Sequence, residues 1–213
     1  MAYLTKTRIL ILYCLAFMSL LGCGKGCGGT PHALEVALRD KGNVVNYDEI
    51  HKTLTVNEAK DLTPLLTCDP TTIEWLFIAD PQFSDLSSLS RLIHLDRLYV
   101  HRTAVTDLSH LSKLTNLRDL SLSGTRVTDL SPLRSLSNLE ELSLVRTKID
   151  DLSPLTALTK LKRINLAESR IGGLLTLSKL KNLEWLNLVK GTATPKEVAM
   201  LKKALPRCEI FSD

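Results

Sequence analysis

This chain of 213 residues has few aromatic residues and a small net charge. Aromatic side chains make up 5% of the residues, and 27 lysines and arginines stand against 23 acidic residues, which gives a formal net charge of +4. Loss of Lys6 and Arg8 with an N-terminal segment would lower this charge by two, to +2. Because the sequence also has no basic run with interleaved aromatic residues, we predict no nucleic-acid partner. The hydrophobic content of 44% is sufficient for a buried core.

The sequence also lacks the residue clusters that catalysis or metal binding requires. Five histidines occur, and none has metal-ligand spacing to another. No nucleophile elbow or carboxylate pair stands outside a repeated pattern. The segment Gly24-Lys25-Gly26 has no Ser or Thr after its lysine and no strand before it, so it is not a P-loop. We therefore predict that the chain is not an enzyme and binds no metal or cofactor.

The one long apolar run lies near the N-terminus. Lys6 and Arg8 precede the 13-residue run 9–21 (ILILYCLAFMSLL). A membrane-spanning helix needs about 20 apolar residues, whereas the hydrophobic region of a signal peptide has roughly 7–15. The run ends at Gly22-Cys23 and is followed by a glycine-rich stretch. The sequence therefore predicts a signal peptide over residues 1–22 and a tether over residues 23–30.

The junction Leu20-Leu21-Gly22-Cys23 resembles the lipobox of bacterial lipoproteins. This resemblance implies cleavage before Cys23 and lipidation of its thiol. It also implies a protein anchored by lipid to a membrane of the bacterial cell envelope, facing the periplasm or the cell exterior. An ordinary secretory signal whose cleavage site abuts a cysteine is the alternative.

Three cysteines remain if Cys14 leaves with the signal and Cys23 carries lipid, and an odd number cannot all pair internally. Export permits a disulfide, for which Cys27 and Cys68 are the candidate pair.

From Asp85 onward the sequence repeats itself every 22 residues without a gap. Aliphatic residues recur at positions 2, 5, 8, 11, 14 and 16 of each unit, and a looser unit, 61–84, precedes the regular ones. Residues 31–60 contain a predicted short helix at 33–40 and a strand-like piece at 50–56, so we assign them to an N-terminal cap. Residues 195–213 begin with a proline typical of a helix start and form the predicted C-terminal cap. The regular units are 85–106, 107–128, 129–150, 151–172 and 173–194.

The pattern L-x-x-L-x-L-x-x-T-x-V resembles the leucine-rich-repeat signature, with Thr in the usual place of Asn. Positions 12–16 alternate between apolar and polar residues and predict a strand, with positions 14 and 16 facing the core. Positions 2, 5 and 8 predict a returning segment of short helical or 3-10 structure. Stacking of six units over 61–194 then gives an α/β leucine-rich-repeat solenoid, with a curved parallel sheet on the concave face and the short segments on the convex face.

The units are also similar to those of internalin-like bacterial proteins, which share the junction TDLSPL. That resemblance implies protein recognition by the concave face.

Two polar columns run through the repeats, and we interpret both as structural. The acidic column at position 1 could hold metal ions, but capping of the following turn is the favoured interpretation. The hydroxyl column at position 19 could be a glycosylation or binding stripe, but bonding to the turn backbone is favoured. The columns are Asp85, Asp107, Asp129 and Asp151, and Thr103, Thr125, Thr147 and Ser169.

Positions 13, 15 and 17 of each unit are not dictated by the core, so their residues are free to serve binding. Four of the seven aromatic residues after residue 22 fall there. Exposed aromatics near arginine are typical of binding hot spots. The alternatives are that aromatics simply favour strands, or that the N-terminal cap covers Trp75 and Phe77. The candidate partner-binding residues are Trp75, Phe77, Arg97, Tyr99, His101 and Trp185, centred on the N-terminal half of the sheet.

Together these patterns predict a lipid-anchored envelope protein that binds a protein or peptide partner. The alternative is a structural or self-associating envelope scaffold with no specific soluble ligand.

Overall fold

The computed structural model describes residues 30–191 and 193–213. The predicted signal peptide, Cys23 and Cys27 lie outside the described residues. Cys68, the other member of the candidate disulfide, is buried, and its thiol donates to the Leu65 carbonyl at 3.2 Å. No helix of the described ranges is long and apolar enough to cross a membrane.

One nine-stranded sheet runs the length of the molecule, in the order β1-β2-β3-β4-β5-β6-β8-β10-β11. All neighbours are parallel except β1 and β2, which form an antiparallel pair at one end. A separate pair, β7 and β9, is also parallel. The strands are β1 Val44–Asp48, β2 Thr53–Glu58, β3 Trp75–Ile78, β4 Arg97–Val100, β5 Asp119–Ser121, β6 Glu141–Ser143, β7 Lys148–Ile149, β8 Arg163–Asn165, β9 Arg170–Ile171, β10 Trp185–Asn187 and β11 Glu209–Phe211.

The repeat register matches the predicted one. Residues at position 14 pair directly with each other in neighbouring strands and are buried, because one unit cannot shield its leucines without the next. They form the column Leu76, Leu98, Leu120, Leu142, Ile164 and Leu186. The predicted fold class, a parallel-sheet solenoid of leucine-rich repeats, is confirmed.

A short 3-10 helix returns the chain in every repeat, as positions 2, 5 and 8 predicted. Each of the four aspartates at position 1 accepts the backbone N–H of the serine two residues later, for example Ser109 N to Asp107 Oδ1 at 2.8 Å. This geometry agrees with the capping interpretation, although a leucine stands at the N-cap itself. The helices are Thr63–Leu66, Ser87–Leu89, Ser109–Lys113, Ser131–Ser135, Ser153–Ala157 and Leu174–Lys179.

Two further columns of polar side chains hold the backbone, one within each repeat and one between neighbouring repeats. The hydroxyls of Thr125 and Thr147 donate to backbone carbonyls three residues earlier, at 2.7 and 2.6 Å, as predicted for position 19. At position 10, Asn116 and Asn138 donate their amides to carbonyls of the preceding repeat at 2.8 and 2.9 Å. The sequence analysis missed this asparagine column. Its amides pair with exposed turn carbonyls of Ile93 and Thr115 and so connect neighbouring repeats.

The solenoid is closed at both ends. At the N-terminal end, helix α1, Pro31–Asp40, and the β1–β2 hairpin cover the first repeats; strand β1 was not predicted from the sequence. At the C-terminal end, helix α2, Pro195–Ala204, buries Val198 and Leu201 and leads into β11. Thr194 and Glu197 form a capping box at the start of α2.

Candidate functional site

The parallel register brings the position-13 residues of all six repeats into one row across the concave face. Read along the sheet, the row is symmetric in chemistry: tryptophan, arginine, acid, acid, arginine, tryptophan. Neighbouring members are one strand apart, about 4.8 Å. The row consists of Trp75, Arg97, Asp119, Glu141, Arg163 and Trp185.

Five of the predicted binding residues form one contiguous cluster at the N-terminal end of this row. The Arg97 guanidinium carbon lies 4.3 Å from the centre of the Trp75 ring, a cation–π contact. His101 packs edge-on against Phe77 and Tyr99, with ring centres 5.2 and 6.0 Å apart. Both Trp75 and Phe77 remain partly exposed beside the cap strand β2. The cap therefore flanks these rings without hiding them.

Trp185 belongs to a second cluster at the other end of the row. The Arg163 guanidinium carbon lies 4.7 Å from the centre of the Trp185 ring, and the ring of Phe211 lies 5.7 Å from it on the other side. Phe211 is 39% exposed. The sequence analysis missed Phe211 because it lies in the C-terminal cap and follows no repeat period. An aromatic residue on a predicted terminal strand was the available signal.

A chain of hydrogen bonds crosses the middle of the face between the two clusters. The His101 Nε2 atom lies 2.7 Å from Ser121 Oγ, which lies 2.9 Å from Ser123 Oγ. Ser123 Oγ in turn lies 2.9 Å from Ser143 Oγ on the next strand. Position 15 faces away from the core, so the sequence predicts that Ser121 is exposed; this prediction is wrong, because the residue is only 4% exposed. The neighbouring imidazole and hydroxyls cover it, and periodicity does not show such contacts.

The ionisable groups of the N-terminal cluster have shifted pKa values. Burial, and then the hydrogen bond to the Asp119 carboxylate, raises the pKa of Tyr99 to about 12. Burial, followed by the charge of Arg102, lowers the pKa of His101. Both side chains are therefore neutral at neutral pH and present apolar ring surface with fixed polar atoms.

A groove of about 520 Å³ lies on this face. It extends from Tyr99 and His101, past Asp119 and Glu141, to Trp185. Trp75, Phe77 and Arg97 do not line it. The sequence analysis placed the binding centre in the N-terminal half of the sheet, whereas this groove spans the central and C-terminal strands. Strand curvature and side-chain length decide where a concavity forms, and neither follows from the repeat pattern.

The arrangement is better suited to binding a partner than to catalysing a reaction. The imidazole of His101 and the hydroxyl of Ser121 are within hydrogen-bond distance, but that hydroxyl is buried and already engaged with Ser123. Within the described part of the chain, no group of three or more His, Cys, Asp or Glu residues is placed to hold a metal ion. What the face offers is two aromatic–arginine clusters joined by hydroxyls and two carboxylates.

Comparison with known proteins agrees with this architecture. Residues 93–135 and 115–157 match the family described as "Leucine Rich repeats (2 copies)". Among solved structures, an internalin of Listeria monocytogenes (inlF) is similar at 29% identity and a TM-score of 0.62, over 77% of this chain and 48% of that one. A leucine-rich-repeat protein of Leptospira interrogans is similar at 30% identity and a TM-score of 0.58, over 66% of this chain and 37% of that one. Internalin C2 of Listeria monocytogenes, at 22% identity, TM-score 0.55 and coverage of 76% and 80%, shares the fold.

The present chain thus spans about half the length of the first of these relatives. A search of curated protein sequences finds no match. The chain contains leucine-rich repeats and is structurally similar to internalin-like proteins. Leucine-rich-repeat domains commonly serve as protein-interaction modules.

Proposed function

We propose that this leucine-rich-repeat protein is anchored by lipid at Cys23 in the bacterial cell envelope and binds a protein or peptide partner in its concave groove. The observation that carries the binding proposal is the symmetric position-13 row, in which each end presents a tryptophan stacked on an arginine. The repeat fold supports it, because such folds commonly bind proteins.

The geometry of the row suits an extended partner surface. Trp75 and Trp185 are five strand spacings apart, roughly 24 Å at about 4.8 Å per strand. Both rings are partly exposed, and stacked arginines hold them in place on rigid strands. Aromatic and arginine anchors of this kind carry most of the binding energy at protein interfaces. Because they are already ordered, little side-chain entropy would be lost on binding.

The centre of the groove adds specificity. Asp119 and Glu141 pair directly across neighbouring strands. Side-by-side carboxylates repel each other, and a basic or hydrogen-bond-donating group of the partner would relieve that repulsion. The carboxylates therefore favour a partner whose central contact is polar and whose flanking contacts are apolar.

The test is capture from native envelope membranes by the mature chain, immobilised through its N-terminus. Wild type is compared with the double variant Tyr99→Ala, Arg163→Ala, and with Lys113→Ala, Ser137→Ala as a matched convex control. We expect the groove variant to lose one stoichiometric partner by tenfold or more, while the control retains it. Equal capture by all three chains would refute the groove as the binding site. Recovery of only further copies of the chain, with oligomers seen by light scattering, would instead favour a self-associating scaffold.

A further inference from the structure

One lateral edge of the solenoid, where the strands of the sheet end, carries a high density of positive charge. Positions 18 and 20 of the five regular repeats place six exposed cations there against one carboxylate, an excess of five charges, while the whole chain has a net charge of only +4. We call this surface the strand-end edge. Its residues are Arg102, Arg126, Arg146, Lys148, Arg170 and Lys190, with Glu168.

In the part of the chain that the structure describes, most of these cations form no ion pair with a carboxylate. Arg146 pairs with Glu168 at 2.8 Å, and this is the only ion pair of the strand-end edge among the described residues. In the small sheet, Lys148 of β7 lies directly opposite Arg170 of β9. Like charges opposite each other on neighbouring strands destabilise a sheet. Placing Lys148 opposite Arg170 therefore does not stabilise the folded chain by itself.

The other lateral edge shows that the fold can balance its charges. There the position-12 residues of the five regular repeats alternate in sign along the sheet. Arg118 lies 3.4 Å from Asp96, and Lys162 lies 2.7 Å from Glu140. The excess of cations on the strand-end edge is thus a local feature, and stacking of repeats does not require it.

The backbone at position 18 is a second observation: charged side chains stand there in a strained conformation. Position 18 has a left-handed conformation in all five regular repeats. Its N–H donates to a backbone carbonyl of the next repeat, except at Lys190, where it donates to the side-chain carboxylate of Asp213 in the C-terminal cap. Glycine adopts this conformation without strain and occurs at Gly124, with φ of 70°. Four charged residues adopt it with φ between 52° and 57°, where backbone strain is greater than for glycine. They are Arg102, Arg146, Glu168 and Lys190. Strain of this kind concentrates at functional sites.

The strand-end edge is continuous with the concave groove. Arg102 and Arg146 line the groove. Arg146 also lines a depression of about 330 Å³ together with Arg126, Lys148, Arg170 and the acidic Glu168, with which Arg146 is paired. Arg146 therefore lies where the groove and the depression meet.

We propose that the strand-end edge binds an acidic segment, rich in Asp and Glu, of the protein that occupies the groove. This inference rests on the proposed function, since it names the chemistry of the same partner. Three of the four cations that line the depression are arginines, whose planar guanidinium groups match carboxylates with two parallel hydrogen bonds.

The surroundings favour a narrow segment over an anionic membrane. Two of the position-1 aspartates follow position-20 cations by three residues along the same turn: Asp129 follows Arg126, and Asp151 follows Lys148. Their carboxylates are engaged by serines and not by these cations. A flat anionic surface pressed onto the strand-end edge would also meet this acidic column. A single extended peptide is narrow enough to contact the cations without contacting the aspartates.

The test uses the full mature chain and a fluorescently labelled oligoglutamate peptide, titrated by fluorescence anisotropy at low and at physiological salt. The edge variant is Arg126→Gln, Lys148→Gln, Arg170→Gln. Its matched control, Lys113→Gln, Arg134→Gln, Lys179→Gln, removes the same charge from the convex face. We expect the edge variant to bind the peptide about tenfold more weakly or worse, a loss of about 1.4 kcal/mol, while the control and Tyr99→Ala bind as wild type does. Binding should weaken with salt, since exposed charges are screened.

Several results would overturn the proposal. Equal weakening by both triple variants would show that net charge alone attracts the peptide. Binding of phosphatidylglycerol vesicles or oligothymidine through the edge, without oligoglutamate binding, would identify a membrane or nucleic acid as the occupant. The peptide titration needs no groove partner. Its outcome is therefore independent of the capture experiment, and either experiment can fail while the other succeeds. If oligoglutamate binds at the edge but the edge variant still captures the groove partner fully, the acidic segment belongs to a different molecule.

Discussion

The phenolic hydroxyl of Tyr99 donates a hydrogen bond to the carboxylate of Asp119 on the neighbouring strand. This contact links the N-terminal aromatic cluster to the acidic centre of the concave face. It also fixes the Tyr99 ring at the mouth of the groove, so that the ring meets a partner in one orientation. Because it couples a titratable group to the fold, the contact can be measured directly.

The first prediction concerns the titration of Tyr99. Its pKa in the folded chain is raised from 10.0 to about 12, so the unfolded state loses this proton more readily than the folded state. The resulting stability is fully present below pH 10 and is lost as the pH rises towards 12. Ultraviolet titration of the folded protein should show a tyrosine that ionises near pH 12 and that disappears in Tyr99→Phe. A normal titration of every tyrosine would contradict the contact.

The second prediction concerns the core column. Leu120→Ala and Leu142→Ala remove buried side chains from adjacent repeats and should each cost about 2–5 kcal/mol of unfolding free energy. Ser121→Ala should cost about 1 kcal/mol, because it removes the hydroxyl that His101 Nε2 contacts and one of the two hydroxyls that Ser123 contacts. The exposed Ser137→Ala serves as the control and should leave chemical denaturation unchanged. Equal, small effects for all four variants would mean that the register is wrong.

The third prediction concerns the left-handed position of the repeats. Gly124→Ala introduces strain of roughly 1–2 kcal/mol, and its new Cβ would lie 3.2 Å from Arg102 Cγ. It should lower the thermal midpoint. Lys190→Gly relieves the same strain at an entropic cost of about 0.5–1 kcal/mol, so it should leave the midpoint unchanged or raise it. A clear loss of stability in Lys190→Gly would show that its side chain, and not the backbone, matters there.

The fourth prediction locates the centre of the binding surface. If the partner fills the groove, Arg163→Ala should weaken its capture at least as much as Arg97→Ala, by about tenfold for a central anchor. If the N-terminal cluster alone binds, only Arg97→Ala should matter. Circular dichroism of both variants shows whether the fold is intact, and comparison of the two affinities decides between the surfaces.

The fifth prediction concerns the anchor. The segment Leu20-Leu21-Gly22-Cys23 supports cleavage before Cys23 and acylation of its thiol. One acyl chain binds membranes only marginally, so stable attachment needs more than one. Mass spectrometry of the mature N-terminus should find a multiply acylated Cys23, and Cys23→Ser should accumulate as an unlipidated precursor. An unmodified Cys23, or cleavage elsewhere, would rule out this anchor.

The 22-residue period by itself determined the solenoid, the strand positions and the inward-facing leucines such as Leu120. This was possible because each unit repeats the same local alternation, and a single unit can bury its apolar residues only by stacking. The residues free for binding followed in turn, since positions 13, 15 and 17 point away from that core. For the same reason, the structural roles of Asp107 and Thr125 could be anticipated.

Tertiary structure alone decided the features that depend on contacts between repeats and caps. Phe211 joins Trp185 only because the C-terminal cap adds a strand. Ser121 is buried only because His101 of the preceding repeat covers it. The strand-end edge combines positions 18 and 20 of several repeats, which lie 22 residues apart in sequence. Stacking brings these residues into one surface, and the resulting charge density and groove arise from distances across strands that no local pattern records.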